Sequence, residues 1–165
     1  MTLVVTQKKS YQNRPRYENP ETLRDEKVFQ DYFQAKFPDH ALRKNPIQYR
    51  MDWSVLKKKS EEVIAMIEYR SRRYTKKKIE DWGGIKLSLA KFQAAMILED
   101  KMDIPCRMFF RFSDCQEGEY YRFDLTKENY QKCKLSWMNM VKRNDPQDQE
   151  PVVLVPMELL VSKQL

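Results

Sequence analysis

Two carboxylates, Asp52 and Glu68, lie in parts of the sequence that have the pattern of neighbouring β-strands. Apolar and polar residues alternate from 47 to 56, which predicts one strand, and residues 63–67 form a continuous apolar run typical of a buried central strand. If the polar turn between them centres on Ser60, Asp52 is paired with Glu68 in an antiparallel hairpin. Their β-carbons are then expected about 4.5 to 5.5 Å apart.

Adjacent carboxylates repel one another, so this pair needs a cation to offset its charge. A divalent ion with oxygen ligands does so, and Mg²⁺ characteristically takes one or two carboxylates together with substrate phosphate and water. The alternative is a pair of acids balanced by Arg50 and Arg70 as surface ion pairs. A one-residue shift of the turn would place Asp52 and Glu68 on opposite faces of the sheet. The spacing leaves a metal site and plain ion pairs both open.

The remaining pattern predicts the elements that position this pair. Helical spacing of apolar residues predicts one helix from Pro20 to about Phe37 and a second from about Ser88 to Met102. Further strands are expected at residues 107–112, 119–125 and 152–155, the first two as a hairpin. This order predicts an α/β fold with a central mixed β-sheet flanked by helices.

The length and composition predict a small folded protein. At 165 residues with 41% hydrophobic content, the chain can bury a core of its own. Residues 1–19 lack any periodicity and are expected to form an N-terminal arm, while residues 20–165 are expected to form a single domain. No apolar stretch approaches the length of a membrane span, so we expect a soluble, non-exported protein with no membrane partner.

The charge of the chain favours an anionic partner. Its 31 Lys and Arg outnumber its 24 Asp and Glu, giving a net charge of +7, which favours nucleic acid over a neutral metabolite; the alternative is an ordinary soluble basic surface. A basic run, Arg70 to Lys78, could hold a sugar-phosphate backbone. One histidine, His40, in a stretch expected to be a loop, and three cysteines exclude His-rich or zinc-knuckle sites. Any chemistry therefore depends on carboxylates and cations.

One family resemblance combines these features. Asp52 in an alternating strand, then Glu68-x-Arg70 closing a buried strand, followed by a basic loop and an amphipathic helix, resembles the PD-(D/E)XK nuclease superfamily. The segments at 45–52, 67–72 and 87–91 are similar to small nuclease-like proteins of bacteriophages. The resemblance covers roughly residues 20–125 and implies a restriction-endonuclease-like core.

The resemblance also implies roles for individual residues. Asp52 and Glu68 would bind Mg²⁺ or Mn²⁺, with the backbone carbonyl of Tyr69 completing the inner shell, and Glu26 matches an acidic residue of the first helix; a solvated helix carboxylate is the alternative for Glu26. Lys91 stands where a polar residue of the second helix can face the site. Contacts to DNA phosphates are expected from Arg72, Arg73, Lys76, Lys77, Lys78 and Lys91.

Two positions depart from the signature. Met51 stands in place of its proline, and Arg70 stands in place of its lysine. Arginine can stabilise developing negative charge, but its pKa above about 12 excludes it as a base. The first hypothesis is therefore metal-dependent hydrolysis of DNA with Asp52, Glu68 and Arg70 as the catalytic residues.

Two alternatives follow from the same residues. One is a catalytically inactive nuclease fold that serves as a structural or adaptor protein of a phage particle, with its N-terminal arm docked on other virion proteins. Such a chain would be found in the virion as well as in the host cytoplasm. The other alternative is a non-catalytic protein that binds nucleic acid through the same basic face.

Overall fold

A computed structural model describes residues 20–46, 49–138 and 149–165. The expected arm at 1–19, and Ile47 and Gln48 of the first predicted strand, lie outside this part. The helices are α1 (Pro20–Lys36), α2 (Lys76–Asp81), α3 (Leu89–Met102) and α4 (Lys127–Gln131), with a 3₁₀ turn at Met157–Leu159. The strands are β1 (His40–Lys44), β2 (Trp53–Lys57), β3 (Val63–Ser71), β4 (Ile85–Ser88), β5 (Cys106–Arg111), β6 (Glu119–Asp124), β7 (Lys134–Trp137), β8 (Pro151–Val155) and β9 (Val161–Gln164).

The central sheet has six strands in the order β1-β2-β3-β5-β6-β9. Only the β3–β5 pair is parallel within this sheet, and the other neighbours are antiparallel. A second, antiparallel sheet has the order β4-β8-β7. The predicted α/β fold with a mixed sheet flanked by helices is confirmed.

From Ala65 onward, past a β-bulge at Ile64, alternation along β3 divides the apolar core between the two faces of the central sheet. Odd-numbered residues face α1, where the ring of Tyr69 stacks on that of Phe29 with centroids 4.7 Å apart. Even-numbered residues face α3 and the small sheet, whose buried Phe92 and Val153 share a core with Met108 of β5. Glu68 therefore points toward the α3 side.

The strand predicted at 47–56 is shorter than expected, because β2 begins only at Trp53 and residues 49–52 form a bend. Asn45 explains this difference. Its side-chain amide donates to the carbonyl of Met51 at 2.9 Å, and its N–H donates to the carbonyl of Asp52 at 2.7 Å. These local hydrogen bonds replace ladder partners for the backbone and hold the bend that carries Asp52.

Several elements were not predicted. His40, expected in a loop, begins β1, and the basic run, expected as a loop, contains α2, whose first turn is capped by Thr75. The hydroxyl of Thr75 accepts the N–H of Lys78 at 3.2 Å, which satisfies one donor at the start of that helix. The described part of the chain also has β4, α4, β7 and β9, which the sequence pattern does not predict.

Candidate active site

The hairpin of β2 and β3 has the register predicted from the sequence at the end where the acids lie. Trp53 pairs with Ile67 and Val55 pairs with Ala65, whereas nearer the turn the register shifts by one residue at a β-bulge. One step beyond Trp53, the backbone N–H of Asp52 donates to Oε2 of Glu68 at 3.2 Å. The two predicted acids are therefore neighbours, as the spacing suggested.

The carboxylate of Glu68 is fully buried, with 0% of the side chain exposed, and is surrounded by donors. Its Oε1 accepts from Nζ of Lys91 at 2.6 Å and is also paired with the guanidinium of Arg70. The ammonium of Lys91 donates as well to the backbone carbonyl of Arg50 at 2.8 Å. Two cations thus compensate for the burial of one carboxylate, and Arg50 contributes its backbone rather than its charge.

Burial is the largest of the influences on the pKa of Glu68. Burial raises the pKa of Glu68 above its usual value, and the positive charge of Arg70 opposes this rise. The negative charge of Asp52 raises the pKa further, while Lys91 lowers it. Asp52 and Glu68 are therefore close enough to repel one another, which is the electrostatic condition that a bound cation relieves.

Lys91, for which a DNA contact is predicted, lies against the carboxylate of Glu68. It lies in the first turn of α3, and 20% of its side chain is exposed beside Glu68. A signal for this role exists in the sequence, because the macrodipole disfavours a cation in the first turn of a helix. The next residue, Phe92, is fully buried, so the backbone of Lys91 lies next to the core.

The first part of the basic run continues the row of Glu68 and Arg70 along the same sheet face. The guanidinium of Arg72 lies 5.9 Å from the ring centroid of Phe110 and is half-buried. Burial lowers the pKa of Arg72 to about 10, and the charge of Arg70 acts in the same direction, while Glu68 opposes it. Arg72 is therefore a partly buried cation of the site.

The second part of the basic run contains one half-buried cation and three exposed ones. Lys76 is directed at β6, where its ammonium lies 3.2 Å from the hydroxyl of Tyr121 and 3.5 Å from Glu119. The other three are exposed at the surface around α2: Arg73, Lys77 and Lys78.

A family model described as "Phage putative PDDEXK endonuclease" matches residues 12–162 of this chain. The chain belongs to that family. No curated protein matched in a second comparison, and no solved structure matched in a third. In the described part of this phage PD-(D/E)XK family member, no helix has the length and apolar character to cross a bilayer.

PD-(D/E)XK nucleases generally use divalent metal ions. This family member has side chains that could serve as ligands for such an ion. Asp52 and Glu68 offer carboxylate oxygens, the ligand type that Mg²⁺ and Mn²⁺ prefer. Across the described residues, no three His, Cys, Asp or Glu side chains are arranged to hold an ion. An ion at this site would therefore be bound by two carboxylates, with a backbone carbonyl, a substrate phosphate and water as its other oxygen ligands.

Tyr69 is the candidate for the carbonyl ligand. The N–H groups of Met66 and Arg72 both donate toward the β5 side of β3. Because backbone groups of successive strand residues point to opposite sides, the carbonyl of Tyr69 is directed to the other side. There the pairing with β2 ends at Trp53 and Ile67, and the bend carrying Asp52 follows. The direction of this carbonyl suits the predicted inner-shell role.

Glu26 is held elsewhere by its own partner. Its carboxylate on α1 forms an ion pair with Lys44 of β1, and only 12% of the Glu26 side chain is exposed. The structure does not group it with Asp52 and Glu68 in a three-residue metal cluster. Its role as a ligand stays a prediction.

Proposed function

We propose that this chain hydrolyses phosphodiester bonds of DNA with a divalent ion, Mg²⁺ or Mn²⁺, held by Asp52 and Glu68. The observation that carries the proposal is the hydrogen bond from the backbone N–H of Asp52 to the carboxylate of Glu68. It joins two mutually repelling acids at the end of a hairpin, beside two cations, in a member of a phage endonuclease family. Such a group of charges suits a phosphate ester with its metal counterion.

Several residues would bind the metal ion. Asp52, Glu68 and the carbonyl of Tyr69 would hold the ion, and Glu26 would join them only by exchanging its partner Lys44. A bound divalent ion supplies Lewis-acid polarisation of the scissile phosphate and lowers the pKa of a coordinated water. The buried position of Glu68 excludes bulk water from this side of the site.

Lys91 would supply the ammonium that the signature places at position 70. It contacts the same carboxylate as Arg70, and one fifth of its side chain remains exposed toward a substrate. In the proposed reaction Lys91 and Arg70 stabilise negative charge on the attacked phosphate, Lys91 as a compact charge and Arg70 as a planar fork. The replacement at position 70 is then compatible with catalysis.

Sequence-indifferent phosphate contacts are assigned to the exposed cations of the basic run, Arg73, Lys77 and Lys78. Arg72 and Lys76 are less available, because Arg72 lies against Phe110 and Lys76 contacts Tyr121. These two would position their own elements and add only long-range charge.

A second function is favoured by one observation. Oε1 of Glu68 is already paired with two cations, so its charge is balanced without a metal. A charge-balanced, buried carboxylate also suits an inactive nuclease fold that acts as a structural or adaptor protein of a phage particle. In that role, residues 1–19 would contact other virion proteins.

Nicking of supercoiled plasmid with Mg²⁺ or Mn²⁺ tests the proposal. We expect the parent chain to nick, and Asp52→Asn and Glu68→Gln to lose at least about a hundredfold in rate, since each loses a ligand charge. Asp100→Asn is the matched control, because Asp100 is 71% exposed on α3 and pairs with Lys101. Calorimetric titration with Mn²⁺ should show heat in the parent and none in Asp52→Ala. A folded parent with neither nicking nor Mn²⁺ heat would overturn the nuclease and favour the virion role.

A further inference from the structure

Two aromatic residues, Tyr74 and Trp82, lie exposed at the two ends of α2. Their rings meet edge to face with centroids 4.7 Å apart, and each residue retains about half of its surface, 51% for Tyr74 and 50% for Trp82. Single exposed aromatics are common on protein surfaces. Two aromatic rings in contact form a larger exposed apolar surface than a single exposed aromatic residue does.

This aromatic pair is held on a firmly anchored element. Thr75 caps the start of α2, and Ile79 at its centre is buried in the core. Beyond Trp82 the chain turns at Gly84, where a β-carbon would lie 2.1 Å from the carbonyl oxygen of Val155. The rings therefore need little ordering when a ligand contacts them.

Cations surround the aromatic pair. The ammonium of Lys78 lies 5.6 Å from the ring centroid of Trp82, and Arg73, adjacent to Tyr74, has 82% of its side chain exposed. The acids of α2 are Glu80 and Asp81, of which Asp81 is paired with Lys77, and Arg73 lies 3.6 Å from Glu21 of α1, so the cations remain in excess around the rings. Aromatic faces beside positive charge match the two parts of a single nucleic-acid strand, its bases and its phosphates.

The aromatic pair is also close to the site in the chain. Tyr74 follows Glu68 by six positions, so their α-carbons are at most roughly 22 Å apart. At the duplex spacing of about 3.4 Å per phosphate, roughly six phosphates span that distance, and an extended single strand needs fewer. A strand at Glu68 can therefore reach the aromatic pair within a few nucleotides.

We propose that Tyr74 and Trp82 form a stacking platform for unpaired bases of single-stranded DNA adjoining the cleavage site. This inference rests on the proposed nuclease function for its purpose, but the binding itself needs no metal. Paired bases are stacked inside a duplex and cannot reach the rings, whereas every unpaired base offers a face. The platform therefore directs the enzyme to frayed, flapped or single-stranded segments.

The test compares three fluorescent probes in EDTA, which prevents cleavage: dT20, an abasic strand of the same length and a 20-base-pair duplex. We expect Trp82→Ala and Tyr74→Ala each to weaken dT20 binding roughly tenfold, the scale of one lost stacked base. Binding of the abasic strand and of the duplex should change less than about twofold, because phosphate contacts remain. Trp137→Ala is the matched control, because Trp137 is 52% exposed on β7.

A conservative variant covers the case in which alanine disturbs α2. Trp82→Phe keeps an aromatic face and should retain dT20 affinity within about threefold, while removing the fluorescence quenching that dT20 causes in the parent. Equal losses on dT20 and the abasic strand, an equal loss in Trp137→Ala, or quenching that persists in Trp82→Phe would overturn the platform. Tighter binding of rU20 than of dT20 would overturn its assignment to DNA.

The outcome is separable from that of the proposed function. Base-dependent binding in a chain that never nicks would contradict only the nuclease. Metal-dependent nicking by a chain whose Trp82 and Tyr74 variants bind dT20 normally would contradict only the platform.

Discussion

The ammonium nitrogen of Lys91 lies 2.6 Å from Oε1 of Glu68, although 23 positions separate the two residues in the chain. The contact joins α3 to the central strand β3 in the face that also carries Arg70. It gives the site a lysine where the local motif has an arginine. Both the proposed chemistry and the stability of the α3–β3 contact should therefore respond to changes at Lys91.

Lys91 should contribute both to nicking and to stability. Lys91→Ala should lower metal-dependent nicking by about a hundredfold, since one charge facing the attacked phosphate is lost. It should also lower the free energy of unfolding by about 1 to 3 kcal/mol, because Glu68 loses a buried donor. Lys101→Ala, at an exposed position of the same helix, should change neither. Nicking at the parent rate by a folded Lys91→Ala would contradict the role.

Arg70→Lys restores the signature residue. If Lys91 and Arg70 act only through their charge, this variant should retain nicking within about threefold of the parent or exceed it, while Arg70→Gln should lose about tenfold or more. Thermal melts of the same proteins provide the counter-test. A lowered melting temperature in Arg70→Lys with no cleavage in any variant would indicate that the arginine serves structure alone.

The exposed cations around α2 should set the salt dependence of DNA binding. Changing Arg73, Lys77 and Lys78 to glutamine should reduce the slope of log affinity against log salt for duplex DNA by roughly 2 to 3, at about 0.9 per phosphate contact. The same change of charge at Lys101, Lys127 and Lys132 is the control and should leave the slope nearly unaltered. Similar slopes for the two triple variants would remove the phosphate role from α2.

Variants of two threonine caps should distinguish the effect of α2 on DNA binding from an effect on stability. Thr75 caps α2 and Thr126 caps α4, each accepting a backbone N–H at 3.2 Å. Thr75→Ala and Thr126→Ala should each lower the free energy of unfolding by about 1 kcal/mol. Only Thr75→Ala should weaken dT20 binding, by several-fold, because α2 presents Trp82. Equal dT20 affinities in the two variants would contradict this dependence.

Glu119 should make stability depend on acid pH. Its carboxylate accepts the N–H of Gln116 at 2.8 Å and the hydroxyl of Tyr121 at 2.9 Å, and the Gln116 bond above all holds the pKa of Glu119 below its usual value. The resulting stability is present above the unfolded pKa of about 4.5 and is lost as pH falls through the lower folded pKa. Urea unfolding of the parent and Glu119→Gln should therefore show a stability gap at pH 7 that closes in acid. A gap that widens below pH 4.5 would contradict this assignment.

The interior of the fold could be predicted because its signals are local. The predicted strands correspond to β2, β3, β5, β6 and β8, which are interior strands of their sheets, rich in apolar side chains. The strands that we missed in the described part, β1, β4, β7 and β9, are all edge strands. An edge strand is paired on one side and half-exposed, so its short sequence has weak periodicity and depends on its neighbour.

The site was only half predictable, for a related reason. The proximity of Asp52 and Glu68 follows from strand register. At the turn, Lys57 pairs with Glu62, which is one position off the predicted register. The extra residue Ile64 of the bulge restores the predicted pairing at the end where the acids lie. The contact of Lys91 with Glu68 depends on how α3 is rotated against the sheet. Core packing fixes that rotation, and a residue spacing does not express it.

Because β3 pairs with β5 in parallel, the residues of the site are brought together by two different loop closures. Asp52 and Glu68 belong to one hairpin and can meet after a short loop closes, whereas Lys91 arrives only when the long crossover at 72–105 has returned to the sheet. Short closures cost less chain entropy and occur earlier. Glu68 therefore remains hydrated and free to ionise while the hairpin forms, and it is desolvated when α3 docks. Burial of this one carboxylate depends on the docking of α3, so a chain whose crossover has not docked has no complete site.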